Sequence, residues 1–405
     1  MSTLSGRQSR VLSGMRPTGK LHLGHYHGVL KNWVKLQQEH DCFFFVADWH
    51  ALTTHYENRE VIAENVWSLV IDWLACGVNP NMARIFVQSR VPEHAELHLL
   101  LSMVTPLGWL ERVPTYKDQQ EQLREKDLAT YGFLGYPLLQ SADILIYQAD
   151  AVPVGEDQVA HVELTREVAR RFNHLFGREP DFADKAEAAA RKMGKKNARL
   201  YANLRKRYQE QGDTEALEVA VALLADQQNI TLADQERLRG YLDGSGRVIL
   251  PEPKALLTPA SRMPGLDGRK MSKSYGNYIS LREDPKTLEQ KIRTMPTDPA
   301  RVRRTDPGEP TKCPVWDFHK IYSGKDTREW VLQGCRSAGI GCLDCKKPVI
   351  DAMQTELEPI RARAREYEKD PDLVRNIVNE GNEAAREEAR ETLGEVREAM
   401  GLSYR

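Results

Sequence analysis

The chain of 405 residues is long enough for about two or three domains. Hydrophobic residues make up 41% and charged residues 28%, so a sizeable core is available and global disorder is excluded. The formal net charge of -1 excludes an overall basic field and leaves any nucleic-acid contact to local patches.

At the amino end, no apolar stretch has the length of a signal peptide. The run Cys42-Phe43-Phe44-Phe45-Val46-Ala47 is far too short for a bilayer span. The expectation is a soluble, cytoplasmic protein that does not enter membranes. Residues 10–15 form a short strand that runs into Arg16-Pro17-Thr18-Gly19, a loop signal. A helix is expected over residues 24–38, and a buried, aromatic-rich strand over 42–49. Helical spacing at Val61, Val66, Leu69, Val70, Trp73 and Leu74 stops at Gly77. There follow a strand over 84–88, helices over 93–104 and 136–147, a strand over 151–154 and an amphipathic helix over 157–172. This alternation predicts an α/β fold, a doubly wound parallel sheet that binds ligands beyond the carboxyl ends of its strands.

The character changes over residues 175–253, where charge and alanine dominate and helices are expected at 188–202, 215–225 and 232–242. Arg191, Lys192, Lys195, Lys196, Arg199, Arg205, Lys206 and Arg207 fall in one stretch with no acidic residue among them. They read either as a solvated helical face or as a phosphate-contacting patch. A turn-rich strip covers residues 261–278, and the pattern is mostly helical from 284 onward. The expected division is a catalytic nucleotide-binding domain in two parts, 1–174 and 254–284, a charged helical insertion at 175–253, and a helical domain at 285–405.

Two segments carry phosphate chemistry. In Ser13-Gly14-Met15-Arg16-Pro17-Thr18-Gly19-Lys20-Leu21-His22-Leu23-Gly24-His25, a strand exits into a glycine-punctuated loop and two histidines flank a glycine at a helix start. Helix starts present unpaired N–H groups, and two imidazoles there can donate to phosphoryl oxygens whose charge grows during transfer. Gly24 has no side chain, so a flat base can approach the backbone. The second segment is Lys270-Met271-Ser272-Lys273-Ser274, between Gly268 and Gly276. Two lysines on a glycine-flanked loop make a cationic clamp that can close on a leaving pyrophosphate and open for release.

Each segment alone is weakly specific; together, in this order, they resemble the two signatures of class I aminoacyl-tRNA synthetases. Ser13-Gly14, Pro17-Thr18-Gly19, Tyr136-Pro137, Ala142-Asp143-Ile144-Leu145 and Val152-Pro153-Val154-Gly155-Glu156-Asp157-Gln158 are similar to the tryptophanyl type. The resemblance covers most of the chain outside residues 175–253. It implies activation of L-tryptophan by Mg2+-ATP to tryptophanyl-adenylate and pyrophosphate, transfer to tRNA(Trp), and a homodimer.

Residue by residue, the resemblance makes His22, His25, Lys270 and Lys273 catalytic. Arg16, Pro17, Thr18 and Gly24 line the ATP site, with Met271, Ser272 and Ser274 on the clamp loop. Gly155, Glu156 and Asp157 approach the ribose, and Met263 meets the adenine through its backbone. Asp143 accepts from the indole N–H, Tyr136 and Gln158 hold the ammonium group, and His50 lies near the pocket. Gln140 and Leu12 stand where relatives often carry methionine and an aromatic residue. Lys117 matches a family lysine, whereas Gln119 replaces a second one. Asp143 has a physical rationale: indole offers a single donor, and a phenylalanine would leave a buried carboxylate unpaired.

Cys313, Cys335, Cys342 and Cys345 form a C-x21-C-x6-C-x2-C set, able to hold a tetrahedral zinc or a [4Fe–4S] cluster. Their local sequence resembles tryptophanyl enzymes that carry a [4Fe–4S] cluster near an anticodon-binding helical domain. Cys42 and Cys76 sit in apolar surroundings and read as buried bystanders. His55, His94, His98 and His161 have no informative spacing and read as structural or surface residues. Two further readings are a tyrosyl enzyme and a non-catalytic synthetase-like protein that senses tryptophan or binds RNA.

Overall fold

The computed structural model describes residues 8–113, 130–177, 181–244, 246–257 and 263–404, with the backbone alone at Arg59, Asp157 and Leu232. Lys117 and Gln119 lie outside the described residues. A five-stranded sheet has the order β3-β2-β1-β4-β5. Its strands are β1 (Arg10–Met15), β2 (Asp41–Val46), β3 (Ala83–Val87), β4 (Ala151–Val154) and β5 (Lys254–Leu257), and every neighbouring pair is parallel. The predicted doubly wound architecture is therefore present. β5 was not foreseen, because Lys-Ala-Leu-Leu is too short to show a period.

The aromatic run of β2 explains how the sheet is covered. Side chains alternate across a strand, so Phe44 and Val46 point to one face and Phe43 and Phe45 to the other. The first face packs Phe44 against Trp33, with ring centroids 4.2 Å apart, and is closed by Val349, Met353 and Leu357 of the helix Cys342–Lys369. The second face packs on Leu97, Leu138, Ile144 and Phe172, and on Ala385, Ala389 and Leu393 of the helix Pro371–Ala399. That last helix also covers the free edge of β3. Asn382 Oδ1 accepts from the Val87 N–H at 3.0 Å. A Cβ on Gly381 would stand 2.0 Å from the Ile85 carbonyl, so only glycine permits this approach.

Residues 182–242 form four helices, Phe182–Lys192, Lys195–Gln211, Thr214–Ala225 and Leu232–Leu242, around a cluster of their own that includes Tyr201, Leu204, Ala220 and Leu238. The helix expected over 188–202 is broken at Gly194. The basic stretch is also less open than its sequence suggests. Arg191 pairs with Glu187, Lys192 with Asp234, Lys206 with Glu210 and Arg207 with Asp213, while Arg205 lies over the Tyr241 ring. The acids come from outside the stretch, which is why the sequence alone did not show the pairing. Of the eight, Lys195, Lys196, Arg199 and Arg205 carry no ion pair among the described residues. No helix of the described residues is long and apolar enough to cross a membrane.

Candidate active site

The strand order reverses beside β1, whose neighbours are β2 and β4. A crevice at such a reversal, beyond the carboxyl ends of the strands, is where this architecture binds ligands. The cavity there has a volume of about 380 Å3 and is lined by Leu12, Arg16, His50, Tyr136, Gln140, Asp143, Gly155 and Gln158, among others. All eight belong to the expected site.

The phosphate end of the site adjoins this cavity: the first segment lines it through Ser13, Gly14, Met15 and Arg16, whereas His22, His25 and the Lys270–Ser274 loop stand outside its lining. The helical turn Leu23–His25 starts on His22, continues as a π-helical turn Tyr26–Leu30, and passes into Lys31–Leu36. His22 Nδ1 accepts from the Gly24 N–H at 3.1 Å, and His25 Nδ1 accepts from the His22 N–H at 3.3 Å. Each ring therefore carries its proton on Nε2, where it can donate. Burial, reinforced by Lys273, pushes His22 down to about 4. Burial, then His22, Lys273 and Lys270, push His25 well below its ordinary value. Both are neutral donors at neutral pH. A Cβ on Gly24 would stand 2.9 Å from the His22 ring, so a side chain there would crowd that ring, while Met263 Cβ at 3.9 Å is at ordinary contact distance.

The segment just after the second signature is joined to the first by backbone pairing. Leu23 N–H donates to the Ile279 carbonyl at 3.1 Å, and Leu281 N–H donates to the Leu21 carbonyl at 3.1 Å. Within the loop, Met271 N–H donates to the Met263 carbonyl at 3.0 Å and Ser272 N–H to Asn277 Oδ1 at 2.8 Å. Lys273 Nζ reaches across to the Gly19 carbonyl at 2.8 Å. Burial is the main reason its ammonium is pushed down to about 8, with Asp72 opposing and Arg16 assisting. Arg16 is itself lowered by burial. Behind this end, Glu356 accepts from His27 at 2.9 Å, Lys31 at 2.7 Å and Tyr322 at 2.8 Å, tying the first signature to the helix Cys342–Lys369.

The other end is a buried polar network around Asp143, on the helix Tyr131–Ile146. Asp143 Oδ2 accepts from His50 Nε2 at 2.7 Å. Its Oδ1 accepts from Gln88 Nε2 at 2.8 Å and His94 Nδ1 at 2.6 Å. Burial alone would raise this carboxyl; the imidazoles of His50 and His94 outweigh it and hold it well below the usual carboxylate range. Tyr136 Oη lies 3.3 Å from His161 Nε2, and His161 Nδ1 lies 2.7 Å from Gln158 Oε1. Gln140 and Leu12 line the cavity. Gly155 leads into a short 3-10 turn, Glu156–Gln158.

The sequence reading missed Gln88, His94, Tyr147 and His161. His94 and His161, taken as structural or surface residues, are buried beside the site and bonded to its polar groups. No spacing signal could have found His94, whose partner Asp143 lies 49 residues away, whereas His161 stands three residues from Gln158, a helical spacing that links it to the site.

The four cysteines lie on or beside three helices. Cys313 precedes Pro314–Tyr322, Cys335 lies on Lys325–Arg336, and Cys342 and Cys345 open Cys342–Lys369. The Cys345 thiol is pushed up to about 12, first by burial and then by Cys313, Cys335 and Cys342. Burial also raises Cys313, against the N–H groups of Val315, Asp298 and Trp316. Arg301 Nη1 donates to Cys335 Sγ at 3.7 Å. Among the described residues, no three Cys, His, Asp or Glu side chains stand close enough to hold a single metal ion.

A parallel sheet with paired signatures at its reversal defines a class I synthetase. The family model for tRNA synthetases class I (W and Y) matches residues 4–199 and 225–358. A tryptophan–tRNA ligase of Ralstonia nicotianae is 69% identical over 98% of this chain and 99% of its own length. One of Thermotoga maritima is 46% identical over 98% of this chain and 100% of its own. The crystal structure of tryptophanyl-tRNA synthetase from Campylobacter jejuni complexed with ADP and tryptophan has a TM-score of 0.73 at 26% identity, covering 97% of this chain and 100% of that one. The chain belongs to the class I tRNA synthetases, on their tryptophan branch. It ligates tryptophan to tRNA; the tyrosyl and non-catalytic readings are set aside.

Proposed function

We propose that the two ends of the cavity divide the reaction. The phosphate end holds ATP with Mg2+: His22 and His25 donate from Nε2 to the phosphoryl oxygens, and Lys270 and Lys273 draw off pyrophosphate. Arg16, Pro17, Thr18, Gly24 and Met263 shape the ATP site, with Met271, Ser272 and Ser274 on the clamp loop and Gly155, Glu156 and Asp157 toward the ribose. The other end holds tryptophan, with Asp143 on the indole N–H, Tyr136 and Gln158 on the ammonium, and His50, Gln140 and Leu12 on the ring. The tryptophan carboxylate is already a nucleophile, so attack on the α-phosphorus needs positioning and charge stabilisation rather than a side-chain nucleophile. A terminal ribose hydroxyl of tRNA(Trp) then takes the acyl group from the adenylate. The observation that supports this reading is the contact between the two signatures, through Lys273 on the Gly19 carbonyl and through Leu23–Ile279 and Leu281–Leu21 just beyond the clamp loop, next to a cavity lined by Arg16 at one side and Asp143 at the other. Tryptophan-dependent exchange of pyrophosphate into ATP tests it: the wild type exchanges, and Lys273→Ala loses most of the rate with little change in KM for tryptophan. Unchanged exchange in that variant would contradict the assignment.

The finer organisation is part of the same proposal. Residues 1–174 and 254–284 act as the catalytic domain, 175–253 as an inserted lobe, and 285–405 as the anticodon-reading part. Cys313, Cys335, Cys342 and Cys345 hold a [4Fe–4S] cluster rather than zinc. Support comes from the N–H groups aimed at Cys313 and the guanidinium on Cys335, donors that suit thiolate sulfur. A single zinc would need its four thiolates within about 4 Å of one another, given its bond length. The cluster would supply a rigid thiolate cage that fixes helix ends, and no redox step is required. Iron analysis and absorbance, lost on Cys342→Ser, test this. A homodimer in the cytoplasm completes the reading. Leu99, Met103, Leu107 and Tyr131, exposed apolar residues on neighbouring helices, support the dimer.

A further inference from the structure

The two oxygens of Asp143 are used differently. Oδ1 is occupied by Gln88 and His94, both completely buried. Oδ2 meets His50, which lines the cavity. Behind His94 stands a further buried group: Tyr147 Oη lies 2.7 Å from His94 Nε2. Burial pushes the Tyr147 phenol well above its ordinary value, so it keeps its proton. A carboxylate can only accept, so Nδ1 carries the N–H that faces Asp143, and a phenol that donates to Nε2 completes the ring's bonding. The surroundings hold both residues in place. Tyr147 stacks on Phe43 with centroids 4.7 Å apart, and its carbonyl accepts from Arg10 Nη1 at 3.1 Å. Next to His94, Glu93 is gripped by Arg386 at 2.9 Å and Arg390 at 3.1 Å, which fixes the first turn of the helix Glu93–Ser102.

We propose that Tyr147 and His94 form a positioning relay for amino-acid selection: the Tyr147 hydroxyl locks His94 as its Nδ1–H tautomer, His94 pins Asp143 Oδ1, and Oδ2 is thereby turned to the cavity as the acceptor for the indole N–H. Neither residue touches the substrate, and both act through Asp143. The proposal rests on the reading of Asp143 as the indole acceptor. Its physical logic is that two buried donors on Oδ1 fix the plane of the carboxylate and leave Oδ2 facing the cavity. Without the phenol, His94 is free to move its proton to Nε2 and turn a lone pair toward Oδ1. That contact is repulsive, and the carboxylate would swing or take up a proton.

The test compares tryptophan with 3-(benzothiophen-3-yl)alanine, in which sulfur replaces the indole N–H, in pyrophosphate exchange by the full chain. Tyr147→Phe is expected to raise the tryptophan KM roughly three- to tenfold, the size of one hydrogen-bonded contact, with kcat and the ATP KM unchanged. The analogue's KM should stay put, so discrimination shrinks by the same factor. His94→Asn, whose amide can stand in for Nδ1–H, should keep most of the discrimination, and His94→Leu should lose it. In 15N spectra of histidine-labelled enzyme, His94 should be a single Nδ1–H tautomer that becomes mixed in Tyr147→Phe. Equal KM changes for both amino acids, an unaltered tautomer in Tyr147→Phe, or full discrimination in His94→Leu would each overturn the relay. Asp143→Asn separates the two failures. If it leaves discrimination intact, the reading of Asp143 itself is wrong; if it abolishes discrimination and Tyr147→Phe does not, only the relay is wrong.

Discussion

The two ends of the cavity are built on opposite plans. At the phosphate end, His22, His25 and Lys273 are all pushed toward their neutral forms by burial, and Lys273 is held by a single carbonyl. At the indole end, Asp143 is held firmly as the charged form by three donors, His50, Gln88 and His94. Charge that must respond to a changing substrate is left loosely committed, whereas charge that must recognise a fixed group is tied down. Preorganisation suits recognition, and a clamp that closes only in the transition state suits group transfer.

The comparison is broken most severely at Lys273. Lys273→Ala is expected to lower kcat for exchange about 100- to 1000-fold, the usual cost of losing one donor to developing charge. Lys273→Arg sharpens the point through pH. The free lysine loses its proton near pH 8, so wild-type kcat/KM for ATP should fall above about pH 8. Arginine stays charged, so that limb should vanish in the variant.

A smaller effect is expected behind the phosphate end, at Glu356. Burial would raise this carboxyl, but the hydrogen bonds from His27 and Lys31 and the charge of His27 bring it to about 2, from an ordinary 4.5. A depressed folded value means that the contribution is complete above about pH 4.5 and lost as pH falls toward about 2. Urea midpoints should therefore separate wild type from Glu356→Gln by about 2 kcal/mol at pH 7, and the gap should close on acidification. A gap that widens toward low pH would contradict it. The smallest change is expected at the indole end. Gln140→Met, a near-isosteric swap on the cavity wall, should alter the tryptophan KM by less than about fivefold.

Much of this was legible before the structure. The aromatic run of β2, the glycine-bounded loops and the two signatures specify a parallel sheet and its phosphate end, because each depends on residues close together in the chain. At the indole end, the resemblance pointed to Asp143, His50, Tyr136, Gln158, Gln140 and Leu12, all of which line the cavity. Gln88, His94 and Tyr147 gain their meaning from where the helices Glu93–Ser102 and Tyr131–Ile146 pack, and a lone histidine at a helix start carries no such message. The ion pairs of the basic stretch were hidden for the related reason that Asp213 and Asp234, which pair with it, lie outside it.

The most direct test of the division is the ratio of kcat/KM for tryptophan to that for its benzothiophene analogue, measured in wild type, Lys273→Ala and Asp143→Asn. The account predicts that Lys273→Ala slows both substrates equally and leaves the ratio unchanged, while Asp143→Asn lowers the ratio by roughly tenfold or more, as expected for a hydrogen bond to a charged acceptor. A ratio that shifts with Lys273, or that survives the loss of the Asp143 charge, would contradict it.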